Sequence, residues 1–230
     1  MGNNSDASVK NPLRAIGFDS KKEAGLQSMG LVISRAGLGK TAILVQFALD
    51  CMMNNSKVLH ISIGEGLEKT RSWYDDIVKL LEVDSVDVPD LMSKRMIMTF
   101  KESNFRKAVL AERIEDLVQQ GIFKPDCLVI DGFDFENASR DILNELRTFA
   151  IEAGIKMMWF SAVNHREDNR LSINGIPAPC HDFDDLFETA LLIKPEGEEM
   201  FLKILKCEAC AVDPGTVLKL DPSTMLIQKG

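Results

Sequence analysis

Ser34-Arg35-Ala36-Gly37-Leu38-Gly39-Lys40-Thr41 stands between a short apolar run, Leu31-Val32-Ile33, and a longer one that starts at Ala42. A buried strand, a glycine-containing turn and a buried helix, in that order, are the setting of a phosphate-binding P-loop. Gly37 and Gly39 let the main chain wrap closely with its N–H groups turned inward. Those donors, with the positive end of the next helix, make an anion nest. Lys40 sets an ammonium beside the β and γ phosphates, and one such pair at about 4 Å is worth roughly 4 kcal/mol at an effective dielectric of 20. Thr41 offers a hydroxyl to Mg2+, which prefers hard oxygen ligands. The usual G-x-x-x-x-G-K-T departs at its first position, where Ser34 replaces glycine. Positive φ at Ser34 would cost on the order of 1–2 kcal/mol, and an extended Ser34 would avoid that cost.

Apolar runs alternate with helical patterns outward from this stretch. Lys40 to about Asn54 is expected as a helix apolar on nearly all faces, hence deeply buried. Val58–Ile63 reads as a second strand, Gly66–Leu81 as a helix and Arg95–Phe100 as a strand. Asn104–Gln120 reads as a helix stopped by Gly121, Cys127–Ile130 as an apolar strand, Ala138–Ala153 as a helix ended by Gly154, and Ile155–Ala162 as another strand. Residues 164–180 form a long polar loop. Thr189–Ile193, Met200–Lys206, Val217–Leu220 and Met225–Gln228 then read as short strands, with Glu196-Gly197 and Asp213-Pro214-Gly215 supplying turns. Repeated β-α units imply an α/β fold, a mainly parallel sheet with helices on both faces, to which the last third adds antiparallel strands.

The chain has 230 residues, 45% hydrophobic and 27% charged, enough for one large core. No stretch rich in Gly, Ser or Pro divides it, so residues 1–28 are expected as a lead segment with flexible first residues and 29–230 as one domain. No apolar run reaches the roughly 20 residues that span a bilayer, and MGNNSDASVK lacks the apolar core of a secretory signal. Asp6 stands where a myristoylation pattern wants Ser or Thr. The expected location is cytoplasmic. A net charge of −8 argues against a generally basic nucleic-acid binder. Five cysteines fit free thiols in a reducing compartment. Cys207 and Cys210 form a lone C-x-x-C, without the four ligands of a zinc site, and are expected to be structural.

Cys127-Leu128-Val129-Ile130-Asp131 is an apolar strand ending in an acid. At the C-terminal edge of a parallel sheet such an acid faces the ligand crevice, and Asp131 would hold Mg2+ through water, the Walker B arrangement. Asp134 reads as a turn residue. Val58-Leu59-His60-Ile61-Ser62-Ile63-Gly64-Glu65 places Glu65 at the same edge. Its carboxylate would orient or deprotonate a water attacking the γ phosphate, or else cap the following helix. His60 lies inside the strand and is expected as a core or sheet-face histidine. Trp73 and Tyr74 could stack on a base but are expected in packing.

The P-loop, the acid after the second strand, the Asp-ended strand and the terminal hairpins together resemble the RecA-like core ATPases, the RadA/KaiC branch above all, over roughly residues 29–230. The resemblance implies ATP and Mg2+ as ligands, with Ser34, Arg35, Ala36, Gly37, Leu38, Gly39, Lys40 and Thr41 around the nucleotide and Thr41 and Asp131 on the metal. It implies Glu65 as the catalytic glutamate beside Lys40, Ser161 near the position that senses the γ phosphate, and Lys206 as the lysine reaching a neighbour's nucleotide. It also implies self-association or a protein partner, and it aligns loop 164–180 with the DNA-contacting loop. Glu208 stands where that branch has arginine two residues after the lysine, which weakens cross-subunit activation. Arg166 and Arg170 in the loop are balanced by Glu167 and Asp168, so DNA binding, which rests on phosphate neutralisation, is not expected.

The resulting expectation is a Mg2+-dependent ATP-binding protein with slow hydrolysis. A MinD/ParA-like switch ATPase would need a signature lysine where Arg35 stands. A nucleotide-binding regulatory module without turnover would suit the altered P-loop and the missing arginine. A kinase for a small acceptor would need an arginine-rich lid, which Arg166 and Arg170 only imitate.

Overall fold

The computed structural model describes residues 10–18, 28–81 and 87–228. Eight strands form one sheet: β1 (Ser28–Ser34), β2 (Val58–Ile63), β3 (Arg95–Phe100), β4 (Cys127–Asp131), β5 (Met157–Val163), β6 (Thr189–Glu196), β7 (Glu199–Cys207) and β8 (Val217–Leu220). Their order is β3-β2-β4-β5-β1-β6-β7-β8. Pairings from β3 through β1 to β6 are parallel, and β6-β7-β8 is antiparallel. This is the α/β architecture that the β-α rhythm and the terminal hairpins imply.

Among the described residues the helices are α1 (Pro12–Ala15), α2 (Lys40–Met53), α3 (Leu67–Leu80), α4 (Val88–Ser93), α5 (Lys107–Gln119) and α6 (Arg140–Ala153). The strands alternate their side chains between two cores, as the period of two requires. Val32, Val58, Val129 and Trp159 pack with α2, α3 and the 10–18 segment. Leu31, Ile33, Leu59, Ile61, Leu128, Ile130 and Phe160 pack with α5 and α6 on the other face. All seven residues of β1 are buried. In β1 Gly30 pairs with Trp159 of β5, and a methyl group on Gly30 would lie 2.3 Å from the indole ring.

Residues 10–18 dock on α2. Asn11 caps α1 by accepting from the Leu13 N–H and donates from Nδ2 to the Gln46 carbonyl at 2.7 Å. Leu13, Ile16 and Phe18 are buried, which accounts for the apolar character of α2 on nearly every side: it is roofed as well as floored.

Several details go beyond or depart from the sequence expectations. The helix expected from Asn104 begins at Lys107, because Glu102–Asn104 closes a 3-10 turn and Arg106 is extended at the N-cap. Met225–Gln228 is not a strand; only Ile227 bridges Leu220, and Asp221 folds residues 221–226 into a turn through Asp221 N–H to Leu226 carbonyl and Met225 N–H to Asp221 carbonyl. The short helix α4 lies in a stretch with no reading. Cys207 and Cys210 are joined in a disulfide, so free thiols are Cys51, Cys127 and Cys180. The C-terminal end of β7 brings Cys210 back toward Cys207, with their Cα atoms 5.5 Å apart, within the range a disulfide bridges.

α2 and α3 follow β1 and β2 on one face, while α5 and α6 flank β4 on the other. The chain thus leaves the C-terminal ends of β1 and β4 toward opposite faces, with β5 between them. Ligand crevices of open α/β sheets form at such a reversal. Among the described residues no helix is long and apolar enough to cross a membrane.

Candidate functional site

The loop after β1 is folded as a cradle. Ser34 closes the strand, buried, while Arg35, Ala36 and Gly37 are exposed. Gly37 and Gly39 take φ of 76° and 82°, a region side-chain-bearing residues rarely adopt. Gly39 is the left-handed N-cap of α2, and its carbonyl accepts from the Ile43 N–H. Among the described non-glycine residues only Asn55 and Met225 have positive φ, so Ser34 replaces the first glycine without strain, as the last extended residue of β1.

The charged and hydroxyl groups converge behind this cradle. Lys40 Nζ donates to Ser34 Oγ at 3.3 Å and to the Arg35 carbonyl at 3.2 Å. Burial lowers the Lys40 pKa, and the Asp131 charge partly restores it. Thr41 Oγ1 donates to Asp131 Oδ2 at 2.6 Å, and Ser161 Oγ donates to Asp131 Oδ1 at 2.5 Å. Ser161 Oγ in turn accepts from the Gly132 N–H at 2.9 Å. Three strands therefore meet through one carboxylate: β1 by way of Thr41, β4 by Asp131, β5 by Ser161. Gly132 has φ of 87°, and a methyl group there would lie 2.4 Å from the Ile63 carbonyl oxygen. Its role was missed in the sequence, although a glycine directly after a strand-ending acid is a legible turn signal.

The donor set fits a magnesium–phosphate group. The first-turn amides of a 14-residue helix and one ammonium suit an anion. Among the described residues no group of three or more His, Cys, Asp or Glu could hold a metal by itself. Thr41 and Asp131 offer only two hard ligands, so they suit a cation whose remaining ligands are phosphate oxygens and water, the habit of Mg2+.

The other candidates make contacts of their own. Glu65 follows Gly64 at the end of β2, half exposed, and its Oε1 accepts from Lys69 Nζ at 2.6 Å. The N-cap of α3 is Gly66, with no side-chain cap bond, so Glu65 does not cap that helix. It borders a cleft of ≈ 380 Å³ lined also by Thr99, Phe100, Lys101 and Arg113. Lys206 Nζ donates to the Asp184 carbonyl at 3.3 Å and lies 3.8 Å from Asp184 Oδ1 and 3.9 Å from Glu208. Asp184 also accepts from Asn174 Nδ2 at 3.0 Å, which ties loop 164–180 to β7. In that loop Arg170 is held by Asp168.

His60 is fully buried in the sheet, its Nδ1 2.9 Å from the Tyr74 hydroxyl. Burial pushes its pKa down to about 4, against the Asp131 charge and with that of Arg95. Tyr74 is buried too, so neither it nor His60 is placed to meet a ligand. Asp134 accepts from the Asn137 N–H and side chain, as a turn residue does. A scan against models of known protein families gave no match. A search of curated proteins likewise found none that matches the chain. What stands is an α/β domain with a mostly parallel sheet, C-terminal antiparallel strands, and a glycine cradle joined to an acid-ended strand.

Proposed function

We propose that this chain binds ATP with Mg2+ on a RecA-like core and hydrolyses it slowly, in connection with self-assembly or a protein partner. The observation that carries the reading is the convergence of Lys40, Thr41, Asp131 and Ser161 at the sheet reversal. The strand order and antiparallel tail are compatible with the RecA-like resemblance.

Residues 34–41 would surround the phosphates, with amides and the Lys40 ammonium as donors. Thr41 and Asp131 would hold Mg2+, Asp131 through water, and the bound cation would neutralise charge on phosphate oxygens. Ser161 keeps the Asp131 carboxylate turned toward Thr41. Glu65 orients a water and takes its proton. Lys206 reaching a second copy would require leaving Asp184. Titration of the whole chain with Mg·ATP and Mg·GTP by calorimetry, alongside phosphate release with and without single-stranded DNA, tests the reading. Saturable Mg2+-dependent ATP binding accompanied by phosphate release supports it, and no heat with either nucleotide refutes it.

A second reading, binding without turnover, is favoured by the Glu65–Lys69 pair and by Glu208 beside Lys206. One holds the base carboxylate against a cation, and the other sets an acid where charge stabilisation would need a base. ATP binding without phosphate release selects it. DNA is not among the proposed partners, because Arg170 is already neutralised by Asp168.

A further inference from the structure

We propose that Met225, far from the loop in sequence, is a positioning residue that holds the phosphate-binding loop in its cradle shape. The inference rests on the nucleotide reading of that loop. A methyl group built on Gly39 would lie 2.7 Å from Met225 Cγ, 2.8 Å from Cε and 2.9 Å from Sδ. The thioether thus occupies the space a side chain at position 39 would need, and it flanks the left-handed N-cap on which the loop turns into α2. An unbranched thioether suits such an irregular gap.

The backbone beneath Met225 is held in an uncommon conformation. Its φ is 59°, and a non-glycine residue keeps a left-handed conformation only when its surroundings over-determine it. Here they do. The Met225 N–H donates to the Asp221 carbonyl at 2.7 Å. Its own carbonyl accepts from Gln46 Nε2 at 2.9 Å, and Gln46 is fully buried within α2. Asp221 Oδ1 accepts from the Ser223 and Thr224 N–H groups at 2.8 and 3.0 Å and from Ser223 Oγ. The Ile227 N–H donates to the Lys10 carbonyl at 3.2 Å. One turn is therefore fastened to α2 at Gln46 and to the 10–18 segment at Lys10, and it delivers a 5% exposed side chain to Gly39.

Two readouts on the full chain test this: amide hydrogen exchange of residues 36–41 without ligand, and Mg·ATP affinity by calorimetry well below the unfolding temperature. In Met225→Ala, exchange and Kd should each rise about 10-fold, while Met225→Leu should stay within about 3-fold of wild type. Met225→Gly removes the side chain and relaxes the left-handed backbone together, so it should loosen the loop as Ala does while lowering the unfolding temperature no more than Ala does. Unchanged exchange in the Ala and Gly variants overturns the positioning role. A lower Kd in Met225→Ala overturns it too, since the segment would then obstruct the loop. If wild type takes up no Mg·ATP, the nucleotide reading falls, and the exchange comparison still decides whether Met225 holds the loop.

Discussion

Thr41 Oγ1 and Asp131 Oδ2 are 2.6 Å apart across 90 residues of chain. The bond joins the first turn of α2 to the end of β4, strands apart in the sheet, because β5 separates β1 from β4 and contributes Ser161 to the same carboxylate. Both oxygens of Asp131 are oriented by hydroxyl donors, so the acid is fixed in direction.

Replacing that carboxylate should separate metal binding from anion binding. Asp131→Asn loses the charge and can accept through only one oxygen, so Mg2+ should improve ATP affinity by about 10-fold less than in wild type, given roughly 1–3 kcal/mol for a charged hydrogen-bond partner. Ser161→Ala should act in the same direction more weakly, since it frees Oδ1 and the Gly132 N–H but keeps the charge. Calorimetric titrations with and without Mg2+ measure the difference. An unaltered metal response in Asp131→Asn would remove the acid from the site.

Lys40→Ala should lower ATP affinity by roughly 100-fold or more, because an ammonium–phosphate pair near a protein surface is worth up to about 4 kcal/mol. Its pKa is lowered by burial, so affinity should also weaken at alkaline pH sooner than for an exposed lysine, as the ammonium loses its proton. Binding to Lys40→Ala at wild-type strength contradicts the assignment of the loop.

Glu65→Gln should leave the ATP affinity nearly unchanged and slow phosphate release by about 100-fold, the scale of general-base catalysis. Lys69→Ala removes the partner that now engages the Glu65 carboxylate at 2.6 Å and should raise turnover. Steady-state phosphate release reads both. Equal rates in wild type and Glu65→Gln would leave Glu65 as no more than the ion-pair partner of Lys69 on α3.

The loop, the acid-ended strand and the sheet alternation were legible because each is local: a glycine beside a lysine, a carboxylate after four apolar residues, a period of two or 3.6. Ser161 was legible only through the resemblance, since a serine in an apolar strand carries no pattern of its own; its meaning comes from β5 lying beside β4. Met225 gave no signal, because its contact with Gly39 depends on a turn set by Asp221 that the alternation of Met225–Gln228 disguises as a strand. The disulfide was missed for a similar reason: a C-x-x-C does not say whether the chain after β7 turns back or runs on.

His60 should make stability depend on pH. Its folded pKa is pushed down to about 4 by burial, whereas an unfolded histidine titrates near 6.5. Between those values the unfolded chain binds a proton that folded His60 does not, so acidification favours unfolding. The contribution is fully present above pH 6.5 and is lost as pH falls toward 4, to a total of roughly 3 kcal/mol. Geometry agrees, because His60 Nε2 is buried without a hydrogen-bond partner, and the charged ring, which carries a proton on both nitrogens, would hold one there that meets no acceptor. His60→Gln keeps a polar group facing the Tyr74 hydroxyl but does not titrate. Its urea midpoint should therefore fall less between pH 7 and pH 4.5 than that of wild type, whatever the two midpoints are at pH 7. Parallel declines would mean that His60 gains its proton without opposing the fold.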